Sequence, residues 1–192
     1  MVAEPIEILP LVTATLDRLG IPWVVGGSIA SSLHGEPRLT NDADLVVEIG
    51  LEGVRALTTA LAGSFYVNEE AAEEAVRRRS SFNVIHTESL VKIDLFILRD
   101  DPLDREQMRT RQRHVVDEQT GGAMYITSAE VVVLRKLDWF RRGGEISDRQ
   151  LLDAVAIIKV QGDRLDMSYL GDWADRLGLQ QLLARALRAA GR

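Results

Sequence analysis

Asp42 and Asp44 stand two residues apart at the head of an apolar run that continues through Ile49. In an extended strand, residues i and i+2 leave the same face, so both carboxylates point the same way. Carboxylates held that close repel each other unless a cation stands between them. A hard divalent cation suits them, because Mg²⁺ and Mn²⁺ prefer oxygen ligands and neutralise the charge of nucleotide phosphates. A third carboxylate is expected on an adjacent strand, and Asp94 is the one acid within the apolar stretch Leu90 to Leu98. Burying it without a partner would be expensive. Lys92, two residues away on the same face, offers a second way of neutralising it.

Upstream, Gly26-Gly27-Ser28 turns the chain between a short apolar run and a small-residue segment suited to a helix. Backbone N–H groups at a helix start make an anion site, and glycine lets a phosphate come close. The Ser28 hydroxyl can add a hydrogen bond to a terminal phosphate. Arg38, between this turn and the aspartates, either holds phosphate or pairs with an acid. Taken singly these features are unspecific. A Gly-Gly is usually just a turn, an Asp-x-Asp a cap or loop, and a strand aspartate a salt-bridge partner. Their order and their strand and helix contexts make them specific.

The elements that must position these residues follow from periodicity. Residues 5–19 predict an amphipathic helix with Ile8, Leu11, Leu16 and Leu19 on one side, Pro10 in or shortening its first turn, and Gly20 as a stop. Trp23-Val24-Val25 predicts a buried strand, Ser28 to Leu33 a helix closed by His34-Gly35. Asp44 to Ile49 predicts a strand buried on both faces. Leu51 to Leu61 reads as a helix, and Glu69 to Arg79 as a charged, exposed one. Phe82 to His86 and Leu90 to Leu98 form an expected antiparallel pair around Thr87-Glu88-Ser89. Asp101 to Arg111 is helical, with Pro102 in its first turn. Arg113 to Asp117 and Ala123 to Ile126 flank Gln119-Thr120-Gly121-Gly122, a hairpin signal. Beyond residue 127 the pattern is helical only. Thr127 to Glu130 and Ser147 to Gln150 have capping-box spacing, and further helices are expected near 167–177 and 179–190. There is no internal repeat or low-complexity linker, so residues 1–127 and 128–192 are expected to pack as one unit.

Composition narrows the chemistry. With no cysteine among 192 residues, thiolate metal sites, disulfides and a cysteine nucleophile are excluded. Three histidines leave carboxylates as the main metal donors. A net charge of −6 argues against nonspecific coating of nucleic acid, though not against a local basic cleft. Arginines gather at Arg77-Arg78-Arg79, at Arg105, Arg109, Arg111 and Arg113, and at Arg141-Arg142. The N-terminal residues lack the pattern of a secretory signal, and no apolar stretch is long enough to span a bilayer. A cytoplasmic location is expected.

The motifs together resemble the DNA polymerase β-type nucleotidyltransferase superfamily. Its pattern is a Gly-Ser or Gly-Gly turn, about a dozen residues, a hydrophobic-flanked Asp-x-Asp/Glu, then a third acid on a later strand. Gly27-Ser28, Asp42-Ala-Asp44 and Asp94 match it. The local form, Gly-Gly-Ser-Ile-Ala, then His34-Gly35, then Arg38-Leu-Thr40-Asn-Asp42, is similar to the small bacterial branch with abortive-infection and type IV toxin enzymes and some antibiotic nucleotidyltransferases. Ser128-Ala-Glu130, Lys136-Leu137, Arg149 and Asp153 resemble the toxin-type motif of the C-terminal half. Here it departs from an adjacent Arg-Asp and reads Ser-Asp-Arg149-Gln-Leu-Leu-Asp153. The resemblance covers residues 21 to 155.

The resemblance implies an α/β (α+β) fold: a mixed sheet flanked by helices over residues 1–127, with a helical part over 128–192. It implies transfer of a nucleoside monophosphate from an NTP to an acceptor hydroxyl, with release of pyrophosphate. Asp42 and Asp44 would hold two Mg²⁺ (or Mn²⁺) ions, and Asp94 would bind the ion at the acceptor oxygen and serve or assist as general base. Gly26, Gly27, Ser28, Arg38, Lys136, Arg149 and Asp153 would face the nucleotide, with Lys136 on the triphosphate and Asp153 orienting Lys136 or Arg149. A Lys136–Asp153 salt bridge between helices is the alternative for that pair. The acceptor would be RNA, including tRNA, lined by the arginine clusters, or a small molecule such as an aminoglycoside, lined by acids such as Glu69, Glu70, Glu73 and Glu74. A toxin-like enzyme would also have a protein antitoxin as partner. Nucleotide binding without catalysis, and a structural module with Asp94 salt-bridged, are the competing classes.

Overall fold

The structure, a computed structural model, describes residues 5–40, 42–117 and 122–192, with the side chains of 116, 117 and 122 left aside. The hairpin turn expected at 119–122 and the first residues of the N-terminal stretch therefore lie largely outside the described residues. Contacts divide the chain into two compact units: Met1–Ile29 with Leu39–Ile126, and Ala30–Arg38 with Thr127–Arg192.

The first unit is built on one mixed sheet of seven strands among the described residues. In chain order these are β1 (Trp23–Val25), β2 (Ala43–Val47), β3 (Phe65–Val67), β4 (Ser81–His86), β5 (Lys92–Ile97), β6 (Gln112–Asp117) and β7 (Gly122–Ile126), arranged β3-β4-β5-β2-β1-β7-β6. β2 runs parallel to β5 and antiparallel to β1, and β5 runs antiparallel to β4. β3 is a three-residue strand that the sequence pattern did not announce. It adds to the edge through Phe65 and Val67.

β2 alternates. Ala43, Leu45 and Val47 are fully buried, whereas Asp44 and Val46 are half-buried. β5 does the same, with Ile93, Leu95 and Ile97 buried and Lys92, Asp94 and Phe96 half-buried. The expected burial of the second strand on both faces is thus replaced by one covered face and one partly open face. The covered face meets helices α1 (Pro5–Arg18) and, toward β4, α4 (Glu69–Arg78).

In α1 the buried residues Ile8, Leu9, Val12, Thr13 and Leu16 recur at three- and four-residue spacing, the signature of one helix face. Leu11 lies off that face and is 49% exposed, contrary to expectation. Pro10 stands in the second turn and does not shorten the helix, since its missing N–H costs only one bond, to Ile6. The Trp23 indole donates to Asp17 Oδ1 at 2.7 Å, which satisfies its N–H while the ring is buried. Helix α3 (Leu51–Leu61) starts and stops where its sequence predicts. Helix α5 (Pro102–Arg109) is capped by Asp101, whose carboxylate accepts from Leu103 and Asp104 N–H.

Helix α2 (Gly27–His34) begins in the first unit and ends in the second. The second unit is otherwise helical: α6 (Ala129–Arg142), α7 (Asp148–Gln161), a short 3₁₀ turn, α8 (Met167–Leu177) and α9 (Gln180–Ala189). Within it, His34 Nε2 lies 2.7 Å from Thr127 O, and Gln161 Nε2 donates to His34 O at 2.6 Å. The expected capping boxes are altered. Ser128, not Thr127, caps α6, and Glu130 instead accepts the Asp166 N–H at 3.1 Å. Ser147 precedes α7 without a side-chain cap bond.

Candidate functional site

β1 delivers the chain into Gly26, whose N–H donates to the Asp44 carbonyl at 2.9 Å. The glycine turn is thereby tied to the strand that carries the acids. Gly27 has φ +55°, and a Cβ placed on it would lie 1.7 Å from Asp44 Oδ2. The Asp44 carboxylate therefore rests against a bare Cα at the first residue of α2, where helix N–H groups and the dipole favour negative charge. Only glycine meets both the left-handed backbone and the close approach. The anion-binding turn read from the sequence holds this carboxylate at its mouth.

Asp42 is exposed and placed by Thr40, whose hydroxyl donates to Asp42 O at 3.1 Å and accepts its N–H at 3.3 Å. Thr40 stands in the motif read from the sequence but was given no role there. A threonine two residues ahead of an aspartate is the available signal, since a hydroxyl there closes a local turn. Asp94 stands directly beside Asp44 in the parallel β2–β5 register. Neighbouring strands run ~4.8 Å apart, so the two carboxylates leave the same half-open face side by side. On its other flank Asp94 pairs with Asn83 of β4.

A cation already stands at these acids. Lys92 Nζ lies 2.8 Å from Asp94 Oδ2. The hydrogen bond to Asp94 holds the Lys92 ammonium above its ordinary pKa against the opposing effect of partial burial, and the charges of Asp94, Asp42 and Asp44 add to it. Both sequence readings of Asp94 therefore meet here, since it belongs to an acid group and is ion-paired. The donor set of hard carboxylate oxygens fits Mg²⁺ or Mn²⁺, and the ammonium shows where positive charge is favoured. Among the described residues no group of three or more His, Asp or Glu side chains converges closely enough to hold one ion.

A buried amide also escaped the sequence reading. A Cβ on Gly26 would come within 3.4 Å of Gln107 Nε2 from α5, and Gln107 is 4% exposed. Nothing in the spacing of a charged helix marks Gln107 as facing inward. The acidic run on α4 is engaged locally: Glu73 pairs with Arg77 and Arg55, and Glu74 pairs with Arg77 and Arg78.

The remaining nucleotide-facing candidates lie in the second unit. Arg38 donates from Nε and Nη2 to the two oxygens of Asp153, each at 3.0 Å. Lys136 Nζ donates to Asp153 Oδ2 at 2.8 Å, and Lys136 and Asp153 are 5% and 8% exposed. Burial alone would raise the Asp153 pKa, but the bonds from Arg38 and Lys136 hold it below its ordinary value. Of the two alternatives for Arg38, pairing with an acid is the one formed. The Lys136–Asp153 salt bridge is also formed. Arg149 is exposed on the first turn of α7, and among the described residues no hydrogen bond or ion pair joins it to Asp153.

No protein-family model matches the chain, and no curated protein sequence matches it. Solved structures do. The solution structure of the antibiotic-resistance factor ANT(2'')-Ia superposes with a TM-score of 0.60 at 13% identity, covering 95% of this chain and 99% of that one. An antigenic nucleotidyltransferase-like protein from Paracoccidioides brasiliensis gives 0.56 at 19% identity over 95% and 91%. The lincomycin-bound lincosamide antibiotic adenylyltransferase LnuA gives 0.51 at 11% identity over 80% and 96%. The chain has a nucleotidyltransferase fold. A mixed sheet with helices on it and a helical C-terminal part, as implied by the motif resemblance, is the architecture found. No described helix of this nucleotidyltransferase fold is long and apolar enough to cross a membrane.

Proposed function

We propose that the protein is an NTP-dependent nucleotidyltransferase that moves a nucleoside monophosphate onto an acceptor hydroxyl. One observation carries the reading: Asp44 lies against Gly27 at the start of α2 and beside Asp94 in the parallel register. That arrangement sets acids next to an anion-binding helix start on a sheet shared with nucleotidyltransferases. Asp42, Asp44 and Asp94 would hold Mg²⁺ or Mn²⁺, which when bound neutralises phosphate charge beside the acids. Backbone N–H groups of Gly26, Gly27 and Ser28 would bind the NTP phosphates. The acceptor oxygen bonds to the α-phosphorus, the bond from that phosphorus to the bridging oxygen breaks, and pyrophosphate leaves. Asp94 takes the acceptor proton once Lys92 has moved off it. Arg38, Lys136 and Asp153 form one charged cluster, proposed to bear on the nucleotide together with Arg149.

Incubation with each α-labelled NTP, Mg²⁺ and either total RNA or a panel of small acceptors tests the reading. Label should be transferred, and Asp42→Asn or Asp94→Asn should lower the rate by at least roughly a hundredfold, several kcal/mol of lost charge stabilisation. Equal transfer by Asp42→Asn would sink it.

Nucleotide binding without transfer is the second reading, favoured by the Lys92–Asp94 ion pair. It predicts bound NTP and no pyrophosphate. The toxin-type resemblance adds a protein antitoxin as a proposed partner, and the cytoplasm expected from the sequence is kept as the proposed location. Growth arrest on expression, abolished by Asp42→Asn, is the expected sign of it.

A further inference from the structure

On the face that carries the acids, β2 runs from Asp44 through Val46 and leads into Glu48 one residue past its end, and β5 runs from Asp94 through Phe96 and leads into Leu98, whose N–H donates to Val47 O at 2.8 Å. Met108 of α5 packs over Val46 with Val24 and Leu98. Beyond that apolar patch opens a pocket of about 470 Å³. Its lining includes Arg79, Arg99, Arg105, Arg109 and Arg111, together with Glu48 and Asp100. The fold thus brings one member of the Arg77–Arg79 run together with three of the Arg105–Arg113 group, which the sequence separates by a strand pair and most of a helix.

The guanidinium groups are aimed by what lies behind them. Asp104, 4% exposed, accepts from Arg99 Nε at 3.1 Å and Nη2 at 3.1 Å. Glu106, 7% exposed, takes Arg109 in the same two-pronged way, at 2.7 and 2.6 Å. Asp104 and Glu106 are buried behind their partners while the Arg105 and Arg109 side chains are 69% and 68% exposed, so guanidinium groups outnumber the exposed acids of the lining, Glu48 and Asp100. Arg105 pairs with exposed Asp100, and Arg111 donates to Met108 O at 3.1 Å while lying over the Tyr125 ring. Arg79 occupies a left-handed backbone position, φ 51°, where glycine is the usual residue, and donates to Leu98 O at 2.6 Å. A guanidinium carries five N–H donors in a planar fork that matches phosphate oxygens.

We infer that this pocket binds the phosphodiester backbone of a single-stranded polynucleotide, and that such a strand is the acceptor. Five guanidinium groups exceed what one phosphate can engage, whereas a strand presents a phosphate at every nucleotide. The pocket begins at Glu48 and Leu98, just past the ends of β2 and β5 and four residues from Asp44 and Asp94, ~13 Å at strand spacing, or roughly four nucleotides of a stacked strand at ~3.4 Å each. A strand whose terminal hydroxyl lies at Asp94 therefore reaches the arginines with its upstream phosphates. The acceptor half of the inference rests on the nucleotidyltransferase reading. The binding half does not.

Fluorescence anisotropy of the full chain with an end-labelled single-stranded RNA about twelve nucleotides long, without NTP, tests it. A DNA strand of the same sequence and inorganic triphosphate are the other arms. RNA or DNA should bind, and more weakly as salt rises. Arg105→Glu and Arg109→Gln should each weaken binding roughly tenfold and reduce the salt slope. Arg55→Gln, at an exposed arginine of α3 that does not line the pocket, should bind the strand as wild type does. Failure of both strands to bind at low salt overturns the inference. So does binding of triphosphate alone, or unchanged strand binding in both arginine variants. A chain that binds strands through these arginines but transfers no label refutes only the catalytic reading.

Discussion

At the residue scale, the candidate site turns on two contacts, Gly27 under Asp44 and Lys92 on Asp94. Gly27→Ala must relieve a Cβ placed 1.7 Å from a carboxylate oxygen and also adopt a positive φ. The backbone term alone costs about 1 kcal/mol or more, and moving the Asp44 carboxylate adds to it. Thermal unfolding should fall by several degrees, and NTP binding read by titration should be lost. A Gly27→Ala protein with wild-type stability and binding would show that the close approach is not required. Lys92→Ala acts in the opposite sense on cations. It removes the ammonium that now neutralises Asp94, and leaves the neighbouring carboxylates to repel each other. The variant should melt lower than wild type without metal, and Mg²⁺ should raise its melting temperature by more than it raises that of wild type. An equal Mg²⁺ response would mean that ammonium and metal do not compete for the acids.

At the element scale, Arg38, Lys136 and Asp153 join the end of the α2 segment to α6 and α7 within the helical unit. Asp153→Ala leaves the Lys136 ammonium, 5% exposed, without its carboxylate, a loss of about 3–5 kcal/mol for a buried pair. Urea unfolding followed by helical circular dichroism should show it. The pH dependence has a definite sign. The Asp153 pKa is held below its ordinary value, so the native state binds fewer protons than the unfolded chain near that value. Its stabilisation is present above about pH 4 and is lost as pH falls through the lowered pKa. Wild type should lose more unfolding free energy between pH 7 and pH 3 than Asp153→Asn does. Equal losses would assign acid sensitivity to other carboxylates. The helices of this unit were readable because apolar spacing is local, although the cap of α6 falls on Ser128 and not on the expected Thr127. So was the pairing of Asp44 with Asp94, which strand alternation and the parallel register put on one face, whereas Asp42 lies just ahead of β2. What escaped was long-range. β3 is only three residues and exists because β4 offers it an edge. Gln107 points inward because α5 packs against β1, and no charged helix advertises which amide will be buried. Arg38 meets Asp153 across 115 positions of sequence.

At the scale of the whole molecule, the chain does not pass once from a sheet unit to a helical unit. A sequence boundary at 127 follows the change of pattern, yet contacts also assign Ala30–Arg38 to the helices. The bonds are specific: His34 Nε2 to Thr127 O at 2.7 Å, Gln161 Nε2 to His34 O at 2.6 Å, and the two-pronged Arg38–Asp153 pair. Gly35 is pressed against α7 so closely that a Cβ would come 3.0 Å from Ile157 N. A fragment of residues 127–192 therefore lacks the segment that covers Ile157 and leaves Asp153 with Lys136 alone. Expressed by itself, it should show weaker helical circular dichroism and faster proteolysis than the same helices in the full chain. Adding a synthetic peptide of residues 27–40 should restore part of the protection, because the peptide supplies His34, Gly35 and Arg38 together. The same peptide with Arg38→Ala should restore less, since burial of Asp153 beside a single cation is the costlier state. A bare 127–192 fragment as protected as the full chain would show that the helices need nothing from the N-terminal half.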